Sequence, residues 1–346
     1  MTLSSTLAAS SGSSTPAAPL VEINYRKVIA RAIADEMATD PRVVFLGEDV
    51  GAAGGAFKTT EGLHERFGER VRDTPIAEQA IVGTAIGAAL MGLRPVAEIM
   101  FADFAGVCFD QIVNTLAKYR YTTGGQATVP VTIRMANGAG AGFGPQHSQP
   151  AENWFLNIPG IKIVVPGTVE DLYGLLRSAI RDDDPVLVFE HKNLFALKGG
   201  VPAEPDDRYL VPIGVADIAR PGNDITIVAT QQMRHRALQA AGQLAGQGYA
   251  AEVIDPRTLV PFDYQTVITS LAKTSRLIVV QEGPPDGGWA ANLIGRLVAG
   301  NFELFDAPPA LITSDPTPVP YSSPMEDAWL PGPGRIVAEA LRLLAY

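Results

Sequence analysis

The sequence holds a single cysteine, Cys108, and only four histidines among its 346 residues. No intrachain disulfide can form, and no Cys/His spacing of a zinc site occurs. Positive charge is also short: 27 Lys and Arg stand against 37 Asp and Glu, a formal net charge of −10. That balance disfavours a nucleic-acid binder, which needs a basic face. No apolar run reaches the roughly 18 residues of a membrane span without charge, Gly or Pro. The GxSxG elbow of many hydrolases is missing. So is the GDG loop with its downstream Asn that commonly holds a magnesium diphosphate. "GEDVGAAGG" (47–55) is glycine-rich but fits neither the dinucleotide nor the P-loop pattern, so no nucleotide is assigned to it.

Residues 1–20, "MTLSSTLAASSGSSTPAAPL", have no basic n-region, no continuous apolar core and no arginines. They read as a disordered tail on a cytoplasmic protein.

What remains is a regular alternation. Apolar residues at helical spacing mark 24–40, 78–92, 105–121, 169–182, 233–248, 287–299 and 334–345. Short apolar runs at 43–49, 94–100, 129–136, 161–167, 185–191, 224–230, 250–256, 276–283 and 309–314 read as strands. Strands alternating with helices predict parallel sheets with crossover connections. The Gly/Pro/Asp-rich stretch 198–212 breaks the rhythm and reads as a linker. The expected fold is therefore α/β, with two doubly wound domains at 21–197 and 213–346.

Few residues stand out as chemistry. Glu78 lies among Ile81, Val82, Ala85, Ile86, Ala89 and Leu90. A carboxylate in such company loses hydration, and that favours the protonated form. It is either a cap at the start of its helix or an acid in a dry ligand pocket. His147 ends the glycine-rich loop "NGAGAGFGPQHSQ" (137–149), whose ordering needs a close ligand or partner backbone. The alternative is an imidazole tied to backbone. Glu98 and Asp103 bracket Phe101 and Phe104, and alternation puts some of these at the sheet's carboxyl edge. His191, after a buried strand, reads as structural as easily as functional. In the helix 78–92, Gly83 and Gly87 are four apart and would let another backbone approach.

"FLGEDVG", "DTPIAE", "GLRPVAEIMFADF", "FDQIVN.LAKYRY", "PQHSQ", "AIRDDDPV.VFEHK", "DPRTLVPFD" and "TPVPYSSPMED" follow in this order. The set resembles the β subunits of thiamine-diphosphate-dependent 2-oxo acid dehydrogenases across 22–346. "EIMFADFAGVCFDQI" and "EHKNLF" are most similar to the acetoin dehydrogenase branch. The resemblance implies a pyrimidine-binding domain followed by a transketolase C-terminal domain. It implies thiamine diphosphate shared with an α subunit, which holds the magnesium and the diphosphate. The assembly would be an α2β2 heterotetramer that passes an acyl group to a lipoyl acyltransferase core. By resemblance Glu78 bonds the aminopyrimidine ring, Phe104 and Met100 wall it, and His147 serves the substrate or the arriving lipoyl group. The resemblance also implies a structural potassium ion near the carbonyls of Val131, Ala179 and Ile180, with Asp182 and Asp184.

Overall fold

The computed structural model describes residues 19–346. The tail expected at 1–20 lies outside the described residues except for its last two, and Leu20 already opens a strand. The first half carries β1 (Leu20–Asn24), β2 (Val43–Gly47), β3 (Val71–Asp73), β4 (Arg94–Phe101), β5 (Thr132–Asn137), β6 (Lys162–Val164), β7 (Val186–His191) and β8 (Lys198–Pro202). The second carries β9 (Asp217–Arg220), β10 (Ile225–Ala229), β11 (Ala251–Asp255), β12 (Thr258–Val260), β13 (Leu277–Val280) and β14 (Ala310–Ile312).

The larger sheet has the order β12-β6-β7-β5-β4-β2-β3, parallel from β6 to β3. Side chains alternate between its faces. Val186 and Val188 of β7 join one apolar cluster, while Leu187 and Phe189 join the other. The helices Tyr25–Thr39 and Val169–Arg181 cover the first face, and Glu78–Leu90 lies on the second. Burial on both faces is why these strands read as continuous apolar runs. The smaller sheet, β14-β13-β10-β11-β9, is parallel except for β9 at its edge. The α/β class with two parallel-dominated sheets is the one expected.

Three of the helices start on side-chain caps. Asn24 accepts from the Lys27 amide at 2.8 Å and Thr168 from the Asp171 amide at 3.0 Å. A helix not expected from the pattern, Tyr264–Thr274, is capped in the same way by Asp263 at 3.1 Å.

Four features differ from the sequence reading. The segment 198–212 begins with β8, which pairs antiparallel with β1. β12 leaves the second half and pairs with β6 at the edge of the first sheet. One apolar cluster continues from Ile133 and Leu187 to Leu259, Val267 and Trp289, so the halves share a core. Finally, 105–121 is not one α-helix. It is a 3-10 turn (Ala102–Gly106), a π-helical stretch (Gln111–Leu116) and a short α turn (Tyr119–Thr122). Widening the turn keeps Cys108, Ile112 and Leu116, each four apart, on one buried stripe.

Glu98, a candidate from the sequence, lies inside the sheet and not at its edge. It shares the buried Arg134 guanidinium with Glu190: Arg134 Nε donates to Glu190 at 2.7 Å, and its terminal nitrogens pair with both carboxylates. Burial pushes Glu98 up to about 6 against the pull of Arg134. Removing one member of such a group strands the others without solvent. Arg134→Met is therefore expected to destabilise the protein by about 3–5 kcal/mol, read by urea unfolding of the purified protein.

Candidate active site

Strands β2, β4, β5 and β7 all end at one edge of the large sheet, the carboxyl edge where α/β folds bind ligands. Four segments leave there: Glu48 after β2, Ala102–Phe104 after β4, the glycine-rich loop after β5, and Lys192 after β7. The helix beginning at Glu78 follows β3 on the same side.

Glu78 is 7% exposed and is the first residue of its helix. No side-chain hydrogen bond caps that helix, and Glu78 has no hydrogen-bond partner among the described residues. The capping reading thus has no bond to rest on. Its charge is felt by two neighbours. Glu48, 5% exposed and with Oε1 unbonded, is raised by burial first and then by Glu78. The Cys108 thiol is pushed up to about 12, again by burial and then by Glu78. Glu48 escaped the sequence reading because one acidic residue after a strand carries no pattern.

His147 sits edge-on to Phe101 at 4.6 Å and to Phe104 at 5.4 Å between ring centroids. Neither ring nitrogen has a hydrogen-bond partner among the described residues. The other three histidines do: His64 on Val71 O, His235 on Gly167 O, and His191 on Glu282 at 2.8 Å. Phe104 is half-buried in this group, 5.6 Å from Phe101, while Met100 is half-buried at the end of β4. The structure thus brings Phe104 and His147 together.

The glycine-rich loop owes its shape to the second half of the chain. Glu282 accepts from the Ala139 amide at 2.6 Å, and Glu326 from the amides of Gly140 and Gly142 at 2.7 and 2.9 Å. Gly138 has φ +85°, and a Cβ there would fall 2.2 Å from His191 Nε2. On the far side of His147, Asp103 Oδ1 accepts from the backbone and side-chain amides of Gln149 at 3.2 and 2.9 Å. The sequence reading missed Glu282 and Glu326, although Glu326 stands in one of the motifs quoted above.

The residues assigned to potassium gather at the opposite, amino edge of the sheet. Their oxygens already have partners. Val131 O accepts from Val186 N, Ala179 O from Asp182 N, and Ile180 O from Arg94. Lys162 Nζ holds the Asp182 carboxylate at 2.7 and 2.8 Å, and Arg120 pairs with Asp184. Each carbonyl keeps a second lone pair and the donors are hard oxygens, a set that suits a monovalent cation. The carboxylates, however, are already neutralised by protein cations. Among the described residues no cluster of three His, Cys, Asp or Glu could hold a metal.

The pyrimidine-binding domain of transketolase matches residues 21–198, and the transketolase C-terminal domain matches 214–336. The beta subunit of acetoin:2,6-dichlorophenolindophenol oxidoreductase from Cupriavidus necator is 45% identical over 333 residues, 93% of this chain and 98% of that protein. Its Bacillus subtilis counterpart is 45% identical over 335 residues, 93% and 97% of the two chains. A chloroplastic pyruvate dehydrogenase E1 component subunit beta-4 from Oryza sativa is 41% identical over 318 residues, 92% and 79%. A solved split-gene transketolase, an inactive beta4 tetramer, matches with a TM-score of 0.76 at 24% identity, covering 93% of this chain and 99% of its own. At that identity the likeness speaks for the fold alone. With its domains and relatives in agreement, the chain belongs to the transketolase-like β subunits of the acetoin and pyruvate dehydrogenases.

Proposed function

We propose that this chain is the β subunit of a cytoplasmic, thiamine-diphosphate-dependent dehydrogenase component that cleaves acetoin and passes the acyl group to a lipoyl domain. The observation that carries the reading is Glu78: a buried, unbonded carboxyl at the sheet's carboxyl edge, the same edge that carries Phe104 and His147. A largely buried acid with no partner among the described residues fits a ligand nitrogen that can share its proton. Glu48 strengthens the fit. Burial first, and then the Glu78 carboxylate, raises the pKa of Glu48. When bound, the thiazolium ring of the cofactor would supply the electron sink for carbon–carbon cleavage. Glu78 would hold the proton shared with the aminopyrimidine. Phe104 and Met100 would exclude water from that face, which strengthens the hydrogen bond. His147, with both ring nitrogens free, would donate to the substrate oxygen or receive the lipoyl group.

The sequence holds no GDG loop for magnesium and the diphosphate, and we assign both to an α subunit in an α2β2 heterotetramer. A structural potassium ion at the amino edge belongs to this reading, but no step depends on it. The comparable identity of the plant pyruvate dehydrogenase subunit supports a second reading, with pyruvate as donor; a branched-chain 2-oxo acid is the other alternative donor. The unbonded Glu78 and His147 argue against a catalytically silent scaffold.

Reconstitution with the α subunit and a dye acceptor, comparing acetoin with 2-oxo acids, tests the donor. In that assay Glu78→Gln is expected to assemble normally and to lose about 10²–10⁴-fold in turnover, the usual worth of a positioned proton-transfer group. Near-normal turnover would reduce Glu78 to a helix residue.

Gly83 and Gly87 report on assembly. Both are exposed, and a Cβ at either meets nothing within 4 Å. Leu90 and Met91 are exposed along the same helix end. Leucine at either glycine therefore leaves the chain's own packing intact. We expect Gly83→Leu and Gly87→Leu to block the heterotetramer, as read by size exclusion with light scattering on co-expressed subunits. Normal assembly of both variants would put the interface elsewhere.

A further inference from the structure

Lys192 is not explained by anything above. It follows β7 at the carboxyl edge, is 5% exposed, and its Nζ has no hydrogen-bond partner. The amine lies 5.7 Å from the centre of the Phe101 ring and 6.0 Å from that of Phe143. Phe101 is the ring on which His147 rests. Three carboxylates act on the amine, from three separate elements: Asp103 of the turn after β4, Glu282 of the loop after β13, and Glu326 of the helix Ser323–Trp329. His191, bonded to Glu282, is the other titratable group in this cluster.

These three carboxylates share a task. Glu282 and Glu326 accept the amides of Ala139, Gly140 and Gly142, ahead of His147. Asp103 accepts the amides of Gln149, just beyond it. Together they clamp both ends of the loop that presents His147. Three like charges around one buried volume repel unless a cation stands among them.

We infer that Lys192 is a positioning residue: its buried ammonium is the countercharge of the Asp103–Glu282–Glu326 clamp and the cationic seat of Phe101, and through both it fixes His147. This rests on the function proposed above.

The ammonium is held at a cost. Burial lowers its pKa from 10.5 to about 8, against the opposing pull of the three carboxylates. The desolvation penalty is therefore fully present below about pH 8 and is relieved as pH rises from there toward 10.5. The charge itself is lost as pH rises through about 8. A residue kept for packing alone would gain nothing from this arrangement.

The test uses the complex with its α subunit, assayed with a lipoyl acceptor across neutral to alkaline pH. Turnover of the parent should fall as pH rises through about 8. Lys192→Arg stays charged throughout, so its alkaline limb should move up by about 2 units or more. Lys192→Met should lose about 10–10²-fold at neutral pH, the scale of an ångström-sized misplacement. It should nevertheless melt no lower than the parent, since the buried charge is gone. Glu326→Gln, which removes one of the carboxylates supporting the ammonium, should move the limb to lower pH and keeps the test open if the arginine does not fit. Unchanged limbs in Lys192→Arg and Glu326→Gln would overturn the inference. So would a Lys192→Met complex whose melting temperature and turnover fall together. A parent complex inactive on every donor would instead defeat the proposed function.

Discussion

The loop ahead of His147 cannot hold its own shape. Its glycines at 138, 140, 142 and 144 all take positive φ, and its backbone amides have no strand or helix to bond to. Unpaired buried amides are costly, and here the acceptors are carboxylates from the far half of the chain, Glu282 and Glu326. The position of His147 thus depends on the second domain being docked. The shared apolar core and the return of β12 to the first sheet make that docking part of the fold.

The same edge collects an unusual density of buried charge. Glu48 follows β2 and Glu78 follows β3, while Glu98, Arg134 and Glu190 form a closed group within the sheet. The closed group is satisfied within the chain and serves structure. Glu78 and His147 are left unsatisfied, and an unsatisfied buried or half-buried polar group is where a ligand is expected. The contrast between Glu98 and Glu78 separates architecture from chemistry. Both are buried acids among apolar residues, but only one has a partner.

Much of this was legible in the sequence. Alternating periods gave the α/β class because each strand is buried on both faces, and Glu78, Phe104 and His147 sit in motifs of recognisable order. The parts that were not legible depend on distance. Glu98 meets Arg134, 36 positions away, only through the register of β4 on β5. Three-residue strands such as β12 are too short to show a period. The break of 105–121 into 3-10, π and α turns leaves no mark, because residues four apart fit an α-helix nearly as well. Lys192, Glu282 and Glu326 lie far apart in the chain, and only the fold brings them to one loop.

We propose that this chain provides one half of an active site, the acid and the histidine, and leaves the diphosphate to an α subunit. Calorimetric titration of thiamine diphosphate with magnesium measures that directly. The chain by itself should show no tight binding, and the co-purified complex with its α subunit should bind stoichiometrically, one cofactor per β chain. Tight, magnesium-dependent binding to the isolated chain would contradict the half-site and with it the account of Glu78.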